Sequence, residues 1–138
     1  MPTPTDFPSA FEITDLDDPH EMLAGPFYQR KGGTISEVFL QAERKHCNTG
    51  GMIHGGLLVT MADLALCAAC REGAEGIRAI TVSLNSEFLS AGKEGDFVEA
   101  KAQLTRRGKS MAFARCDIVA DGKTLMTASA VTRLVPKQ

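Results

Sequence analysis

One carboxylate lies inside the most apolar stretch of the sequence. Asp63 occurs within "LLVTMADLALCAA", and no Lys or Arg occupies positions 59, 60, 66 or 67, so no ion pair with a neighbouring helical turn is available. Burial of an unpaired carboxylate is costly unless the group takes up a proton. The pattern therefore favours a general base that acts on water, although Ser or Thr hydroxyls or backbone N–H groups could also satisfy this carboxylate.

Groups that could donate hydrogen bonds to a substrate come just before this stretch. Gly55 and Gly56 lie at a helix start, where N–H groups without intrahelical partners can stabilise an oxyanion, unless the glycines only form a tight turn. Asn48 could add an amide donor or simply form a turn. His54 could be a general base, but the helix dipole disfavours its charged form. We expect it to orient the loop or bind the substrate, unless its role is purely structural.

The spacing of these groups constrains where they can act. Asp63 follows Gly55 by eight positions, which is about 12 Å along a helix axis. Asp63 therefore cannot reach a carbonyl that is held at its own helix start. If both groups act on one substrate, the sequence predicts a site formed by two subunits.

The elements that position these residues can be read from composition and periodicity. A helix is predicted from about Gly55 to Glu72, and Gly73 ends it. The segment "DDPHEML" predicts a short N-terminal helix, because an acidic cap precedes Pro19. Between the two helices, "GPFYQR", "KGG" and "TISEVFLQAE" indicate a hairpin with a glycine turn.

After the long helix, apolar residues alternate with polar residues, as in β-strands. In "IRAITVSLNSEFL" this alternation predicts two faces. One face has Ile80, Val82, Leu84 and Phe88, and the other has Thr81, Ser83, Asn85 and Glu87. A second strand has Val98, Ala100, Ala102 and Leu104 on one face, and an Asp121-Gly122 turn joins the last two strands.

The predicted fold is α+β, in the order β-β-α-β-β-β-β. The helix is apolar on nearly all sides, so it must be enclosed. Small residues on the last strands would let the helix backbone approach closely: Ala112, Ala114, Cys116, Ala128 and Ala130. We therefore expect an antiparallel sheet wrapped around one long central helix, with its exposed edge covered by a second copy of the chain.

Composition excludes several classes of protein. The chain has 138 residues, 43% of them hydrophobic, and a formal net charge of −2, so nothing in its charge favours nucleic acid. No apolar run has the length of a membrane span or the flanks of a signal peptide, and we expect a cytoplasmic protein without a membrane partner. The sequence predicts an N-terminal segment at residues 1–24 and a single domain at residues 25–138.

Four cysteines occur, and two of them form a C-x-x-C pair at Cys67 and Cys70. Such a pair can indicate redox chemistry or a zinc site. No second pair occurs at zinc-finger spacing, and this pair lies late in a helix, so we favour small apolar packing residues and no metal site.

The sequence from Asn48 to Asp63, "NTGGMIHGGLLVTMAD", resembles the motif of the hotdog-fold acyl-CoA thioesterases, specifically the phenylacetate-pathway (PaaI-like) type. The resemblance extends to "TVSLNSEFLSAGKEGD" and "RRGKSMAFARCDIVADGKTLMTASA" and covers about residues 25 to 135. It implies hydrolysis of a thioester to a carboxylic acid and free coenzyme A by a homodimer or a dimer of dimers. No cofactor is implied beyond the coenzyme A of the substrate.

The same resemblance implies roles for individual residues. The N–H of Gly55 and the amide of Asn48 would polarise the thioester carbonyl, and Asp63 of the partner subunit would activate water or attack directly. Thr81 falls where the family often has a water-orienting Ser. Coenzyme A would contact a larger set: Ser83, Phe88, Ser90, Gly108, Lys109, Ser110 and Met111.

Other observations from the residues are less specific. Arg106, Arg107 and Lys109 at one turn, and Lys93 in another loop, could meet phosphates or remain solvated. Leu57, Met52, Met61 and Phe88 could line an acyl pocket.

Two alternative functions remain open. A hotdog hydratase or dehydratase would need a His-Asp dyad, for which no "D-x-N-x-x-H" stretch is present. A non-catalytic acyl-CoA binding protein would not require a buried base.

Overall fold

A computed structural model describes residues 3–138, so the first two residues of the predicted N-terminal segment lie outside the described part. Within residues 3–138 the strands form one antiparallel sheet, and one helix is much longer than the other. The strands are β1 (Phe11–Ile13), β2 (Tyr28–Arg30), β3 (Glu37–Gln41), β4 (Ile77–Phe88), β5 (Phe97–Arg107), β6 (Met111–Ala120) and β7 (Lys123–Pro136). The helices are α1 (Pro19–Ala24) and α2 (Gly55–Arg71), and a 3₁₀ turn spans Arg44–His46.

The sheet surrounds α2 as predicted. Its strand order is β1-β2-β3-β5-β6-β7-β4, and α2 contacts every strand from β3 to β7. The five predicted small residues of β6 and β7 are all buried beneath the helix. On the helix side, Met61, Ala62, Ala65 and Leu66 are completely buried. The predicted element order is confirmed, with β1 as an additional strand that the sequence did not indicate.

The C-terminal end of α2 is fixed by a glycine and by an arginine. At the C-terminal end Gly73 has φ +77°, a left-handed conformation that glycine adopts without strain, which confirms the predicted end of the helix. The guanidinium of Arg107 donates from Nη1 to the carbonyl oxygens of Cys70 (3.3 Å) and Glu72 (2.8 Å). Because these carbonyls carry the negative end of the helix dipole, a cation there stabilises the helix.

A β-bulge interrupts β4 and changes which residues share a face. Thr81 pairs with Thr132, but the next paired residue is Ser83, opposite Val131, so Val82 is the extra residue. Thr81 and Leu84 consequently both face α2, whereas Ile80 and Ser83 face away from it. The predicted grouping of Thr81 with Ser83, and of Ile80 with Leu84, is therefore wrong, since strict alternation does not survive an inserted residue.

Within residues 3–138, strand β4 forms one edge of the sheet and pairs only with β7. Ile80 (45% exposed) and Val82 (60% exposed) leave apolar surface on this edge strand. A twelve-residue strand with an open edge is an unusual feature for a monomer, because its free N–H and C=O groups invite pairing with another chain.

The N-terminal region packs onto the outer face of the sheet. Phe11, Phe39 and Phe97 are buried there in edge-to-face and stacked contacts, and the guanidinium carbon of Arg30 lies 4.5 Å from the centroid of the Phe11 ring. The predicted short helix is present as α1, and the carboxylate of Asp18 caps it by accepting the N–H of Glu21.

Neither helix of residues 3–138 has the length and apolar character needed to span a bilayer.

Candidate functional site

The loop before α2 is shaped by Asn48. Its side-chain oxygen accepts the backbone N–H groups of Gly50 (2.9 Å) and Met52 (3.2 Å), which holds the loop in a tight turn. The side chain of Asn48 can therefore fill both roles considered for it, that of turn former and that of amide donor. The oxygen forms the turn, while the NH₂ group makes no hydrogen bond with the described residues and can donate to a ligand.

The start of α2 offers a second donor. His54 is the N-cap residue, and its Nδ1 accepts the N–H of Gly56 at 2.9 Å. Nδ1 therefore carries no proton, which agrees with the expectation that His54 orients this loop. The N–H of Gly55, at the first helical position, finds no acceptor among residues 3–138 and points its partial positive charge out of the helix end.

An open apolar cavity lies beside these donors. Its volume is about 370 Å³, and its lining includes Asn48, Met52, Gly55 and Phe88. A side-chain carbon added to Gly55 would lie only 3.2 Å from the ring of Phe88, so glycine is what allows the ring to approach the helix end. Of the residues expected to line an acyl pocket, Met52 and Phe88 lie in this cavity.

The other two expected pocket residues lie elsewhere. Leu57 lines a different cavity of about 380 Å³ on the opposite side of the helix start, together with His54. Met61 is completely buried in the core, so its expected role in an acyl pocket is wrong.

Asp63 has a hydrogen-bond partner on another element, which the spacing of residues along the helix did not predict. The hydroxyl of Thr81 donates to Oδ1 of Asp63 at 2.5 Å, across the gap between α2 and β4. The thiol of Cys67, one helical turn after Asp63, lies 3.2 Å from Oγ1 of Thr81 and 3.9 Å from the same Oδ1. All three side chains are half-buried. The carboxylate is thus partly satisfied by a hydroxyl, which was the alternative considered for it.

The contacts of Asp63 are distributed unequally between its two oxygens. Every hydrogen bond that residues 3–138 make to this carboxylate ends on Oδ1. Oδ2 is left free to accept a proton from a water molecule or to contact a substrate. Because Thr81 immobilises the group through the other oxygen, Oδ2 has a fixed direction.

Within one chain the structure brings the predicted catalytic residues together in two groups. Asn48, His54 and Gly55 meet at the start of α2, whereas Asp63 and Thr81 meet two turns further along the helix. The axial separation of Gly55 and Asp63 is about 12 Å. We call these two groups half-sites; their assembly into one site from two subunits stays a prediction.

The residues expected to contact coenzyme A are also divided. Phe88 lies at the start of α2, and Ser90 is close by, with its hydroxyl donating to the carbonyl of Thr124 (2.6 Å). Four others form the exposed turn Gly108–Met111 at the opposite end of the sheet, closed by a 2.8 Å bond from the Gly108 N–H to the Met111 carbonyl. Ser83, next to the inward-facing Leu84, is exposed and faces away from α2.

The basic turn is smaller than the sequence indicated. Arg107 is engaged by the carbonyls at the end of α2, so it is not a free phosphate ligand. Arg106 and Lys109 are exposed and make no ion pair with the described residues. They remain the cations of this turn that could meet a phosphate.

The C-x-x-C pair has the properties of packing residues rather than of a redox site. Cys70 is completely buried, and all four cysteines are free thiols. Burial raises the pKa of Cys67 to about 11 and also raises the pKa of Cys70, so neither is a reactive thiolate at neutral pH. The sequence analysis did not predict the contact of Cys67 with Thr81. The signal for it was the position of Cys67 four residues after Asp63, because residues at this spacing share one helix face.

Comparison with known proteins supplies the family. The thioesterase superfamily model matches residues 50–127. The esterase candidate PA0474 of Pseudomonas aeruginosa is 34% identical over 138 residues, which cover 97% of this chain and 98% of the relative. Human acyl-coenzyme A thioesterase 13 is 31% identical over 98 residues, which cover 68% of this chain and 67% of the relative.

A solved structure agrees in fold. The E. coli PaaI protein from the phenylacetic acid degradation operon superposes with a TM-score of 0.73 at 22% identity, covering 88% of each chain. The sheet around a central helix and the match along the chain lead to one assignment. The chain belongs to the thioesterase superfamily and has the hotdog fold of its PaaI-like members.

Proposed function

We propose that this protein hydrolyses an acyl-CoA thioester to a carboxylic acid and free coenzyme A. The observation that carries the proposal is the Asp63–Thr81 pair, which fixes a carboxylate by one oxygen and leaves the other available to water. Family membership supports a thioesterase, and the human relative is by name an acyl-coenzyme A thioesterase. A protein that only binds its ligand has no need of such a carboxylate.

The proposed reaction uses both half-sites. The N–H of Gly55 and the amide of Asn48 donate to the thioester carbonyl oxygen and stabilise the negative charge that forms there. Oδ2 of Asp63 takes a proton from water while the water oxygen bonds to the carbonyl carbon. The tetrahedral intermediate then collapses, the C–S bond breaks, and the departing thiolate of coenzyme A takes up the proton that Asp63 had accepted, which restores the carboxylate. Direct attack by Asp63, with hydrolysis of an anhydride, remains the other route open to the same geometry.

The proposal requires a homodimer, because the two half-sites of one chain are too far apart. Two copies of the open edge of β4 could pair in antiparallel fashion, which would place the Phe88 end of one strand beside the Ile77 end of the other. The turn Gly108–Met111 lies beside that Ile77 end, since the N–H of Leu134 bonds to the carbonyl of Ser110. Such pairing would therefore unite the two groups of residues expected to contact coenzyme A.

The test of activity uses Asp63→Asn, which keeps the size of the side chain and can still accept the Thr81 hydroxyl. We expect wild-type protein to turn over at least one member of a panel of short, long and aromatic acyl-CoAs, measured with a thiol-trapping reagent. The variant should lose nearly all kcat and retain its thermal midpoint. Normal turnover by Asp63→Asn would refute the mechanism. Tight acyl-CoA binding without turnover by wild type would instead favour the non-catalytic alternative.

The shared site is tested by mixing subunits. Asp63→Ala and Gly55→Pro chains each lack a different half-site, so a mixed dimer contains one intact site. We expect activity to reappear when the two variants exchange subunits. Heterodimers demonstrated by differential tags but without activity would indicate a site within one chain.

The interface on β4 has its own test. Val82→Lys should lower the mass of the assembly in light scattering, whereas Leu16→Lys, at another exposed apolar position, should not. The mass of wild type distinguishes a dimer from a dimer of dimers.

A cytoplasmic location also belongs to this proposal. The four cysteines are free in the structure, which is the state that a reducing compartment maintains. Fractionation of cells that express the tagged protein tests this location.

A further inference from the structure

Cys67 contacts both members of the Asp63–Thr81 pair. It lies one turn after Asp63 on the same face of α2, with Sγ 3.2 Å from Oγ1 of Thr81 and 3.9 Å from Oδ1 of Asp63. Of these three side chains, the mechanism proposed above uses only those of Asp63 and Thr81. Cys67 is thus a half-buried nucleophile-type side chain at the site without an assigned role.

The directions of the hydrogen bonds follow from the number of protons. A carboxylate can only accept, so the single hydroxyl proton of Thr81 is used by the 2.5 Å bond to Asp63. The oxygen of Thr81 can therefore only accept from Cys67. Burial raises the pKa of the Cys67 thiol to about 11, so the thiol carries the proton required to donate. The single S–H proton of Cys67 is directed at the nearer of its two acceptors, Thr81 Oγ1 at 3.2 Å rather than Asp63 Oδ1 at 3.9 Å. The result is a chain of two bonds, from the Cys67 S–H to Thr81 Oγ1 and from the Thr81 O–H to Asp63 Oδ1.

We propose that Cys67 is a positioning residue that holds the Thr81 hydroxyl in the orientation that donates to Oδ1 of Asp63. Its effect reaches the reaction through Thr81, because an oriented hydroxyl keeps Oδ1 occupied and Oδ2 free for water. Without the thiol, Thr81 can rotate about χ1 and the carboxylate loses its fixed direction. This inference rests on the proposed thioesterase function and adds to it a positioning role for a residue that also packs in the helix.

Substitution separates positioning from packing. Cys67→Ala removes the donor, whereas Cys67→Ser replaces it with a hydroxyl that can reach the same oxygen. A net hydrogen bond corresponds to about a 2- to 12-fold change in rate, and we expect Cys67→Ala to lower kcat within that range with KM unchanged. Cys67→Ser should recover at least half of the lost kcat.

Cys70→Ala is the matched control. Cys70 belongs to the same helix and is completely buried, so its truncation disturbs packing without touching Thr81. We expect Cys70→Ala to lower the thermal midpoint but to leave kcat unchanged. A purely structural role for Cys67 would instead make both variants lose stability and activity in parallel.

A second measurement does not depend on substrate. The negative charge of Asp63 contributes to the raised pKa of Cys67, so Asp63→Asn should shift the midpoint of Cys67 alkylation below about 11. Site-resolved mass spectrometry of iodoacetamide labelling against pH measures this midpoint. An unchanged midpoint would show that the two side chains are not coupled and would overturn the inference.

The outcomes of the kinetic experiment are distinguishable. If wild type turns over acyl-CoA and Cys67→Ala has wild-type kcat, the positioning role is refuted while the thioesterase function stands. If Cys67→Ser is no better than Cys67→Ala, donation by residue 67 is likewise refuted. If wild type hydrolyses no acyl-CoA in the panel, the proposed function fails, and the positioning role fails with it.

Discussion

The start of α2 permits an unusually direct test of a backbone oxyanion donor. A backbone N–H is difficult to remove by mutation, but proline lacks this group and is well tolerated at the first helical position. Gly55 occupies that position. The preceding residue, His54, has φ −63° and ψ 132°, which is the extended conformation that a following proline requires. Gly55→Pro should therefore remove the donor while preserving the helix.

The expected magnitude follows from the environment of Gly55. Loss of one oxyanion donor costs about 10²–10³ in rate. Because the amide of Asn48 would remain, we expect a loss near the lower end, about 10² in kcat/KM. Proline also adds a side-chain carbon 3.2 Å from the ring of Phe88, and this contact forces the ring to move by a few tenths of an ångström. Gly55→Ala adds the same carbon but keeps the N–H, so it is the matched control.

The assay compares kcat/KM of Gly55→Pro with that of Gly55→Ala on the best acyl-CoA of the panel. Their ratio isolates the N–H from the contact with Phe88, and circular dichroism verifies that both variants keep the helix. We expect Gly55→Ala to lose less than about tenfold and Gly55→Pro to lose about 10²-fold more than that. Equal activity of the two variants would show that the N–H of Gly55 does not act on the substrate.

Three further expectations concern single contacts. Asn48→Asp keeps the oxygen that forms the turn but lacks the NH₂ donor, so kcat should fall about 10²-fold with little change in thermal midpoint. Arg107→Ala should lower the free energy of unfolding by about 1 kcal/mol in urea titration, because the carbonyls at the end of α2 lose their cation, whereas Arg106→Ala should not. At pH 8, iodoacetamide should label Cys67 about 200 times more slowly than an ordinary thiol, since a pKa of about 11 leaves little thiolate. A wild-type kcat, an unchanged urea midpoint or rapid labelling would contradict the respective expectation.

Local sequence signals were sufficient to predict helix ends, turns and close packing, because each of these features requires a particular type of residue. Gly73 predicted the end of α2, and the Asp121-Gly122 pair predicted the turn between β6 and β7; both positions have positive φ. The small residues of β6 and β7 likewise predicted an enclosed helix, because only short side chains let a helix backbone lie close to a sheet. These features depend on interactions within a few residues or on simple volume.

Side-chain partners across the fold could not be obtained in this way. The lack of a basic residue near Asp63 was correctly read as the absence of a helical ion pair, but the partner came from β4, 18 positions along the chain. Arg107 illustrates the reverse case. Its charge suggested a ligand for phosphate. Although Arg107 follows Glu72 by 35 positions in the sequence, the fold brings its Nη1 to 2.8 Å from the carbonyl oxygen of Glu72. Both contacts depend on the register of a strand against the helix.

The bulge in β4 explains why the alternation of apolar and polar residues did not predict that register. In a regular strand Thr81 and Leu84 would face opposite sides, so a sequence that packs Leu84 against α2 would turn Thr81 away from Asp63. Val82, as an inserted residue, lets both face the helix. The insertion disrupts hydrogen bonds to β7 alone, because β4 has no neighbour on its other side within residues 3–138. The open edge that makes β4 available to a second chain is thus also what allows the strand to direct Thr81 at the carboxylate.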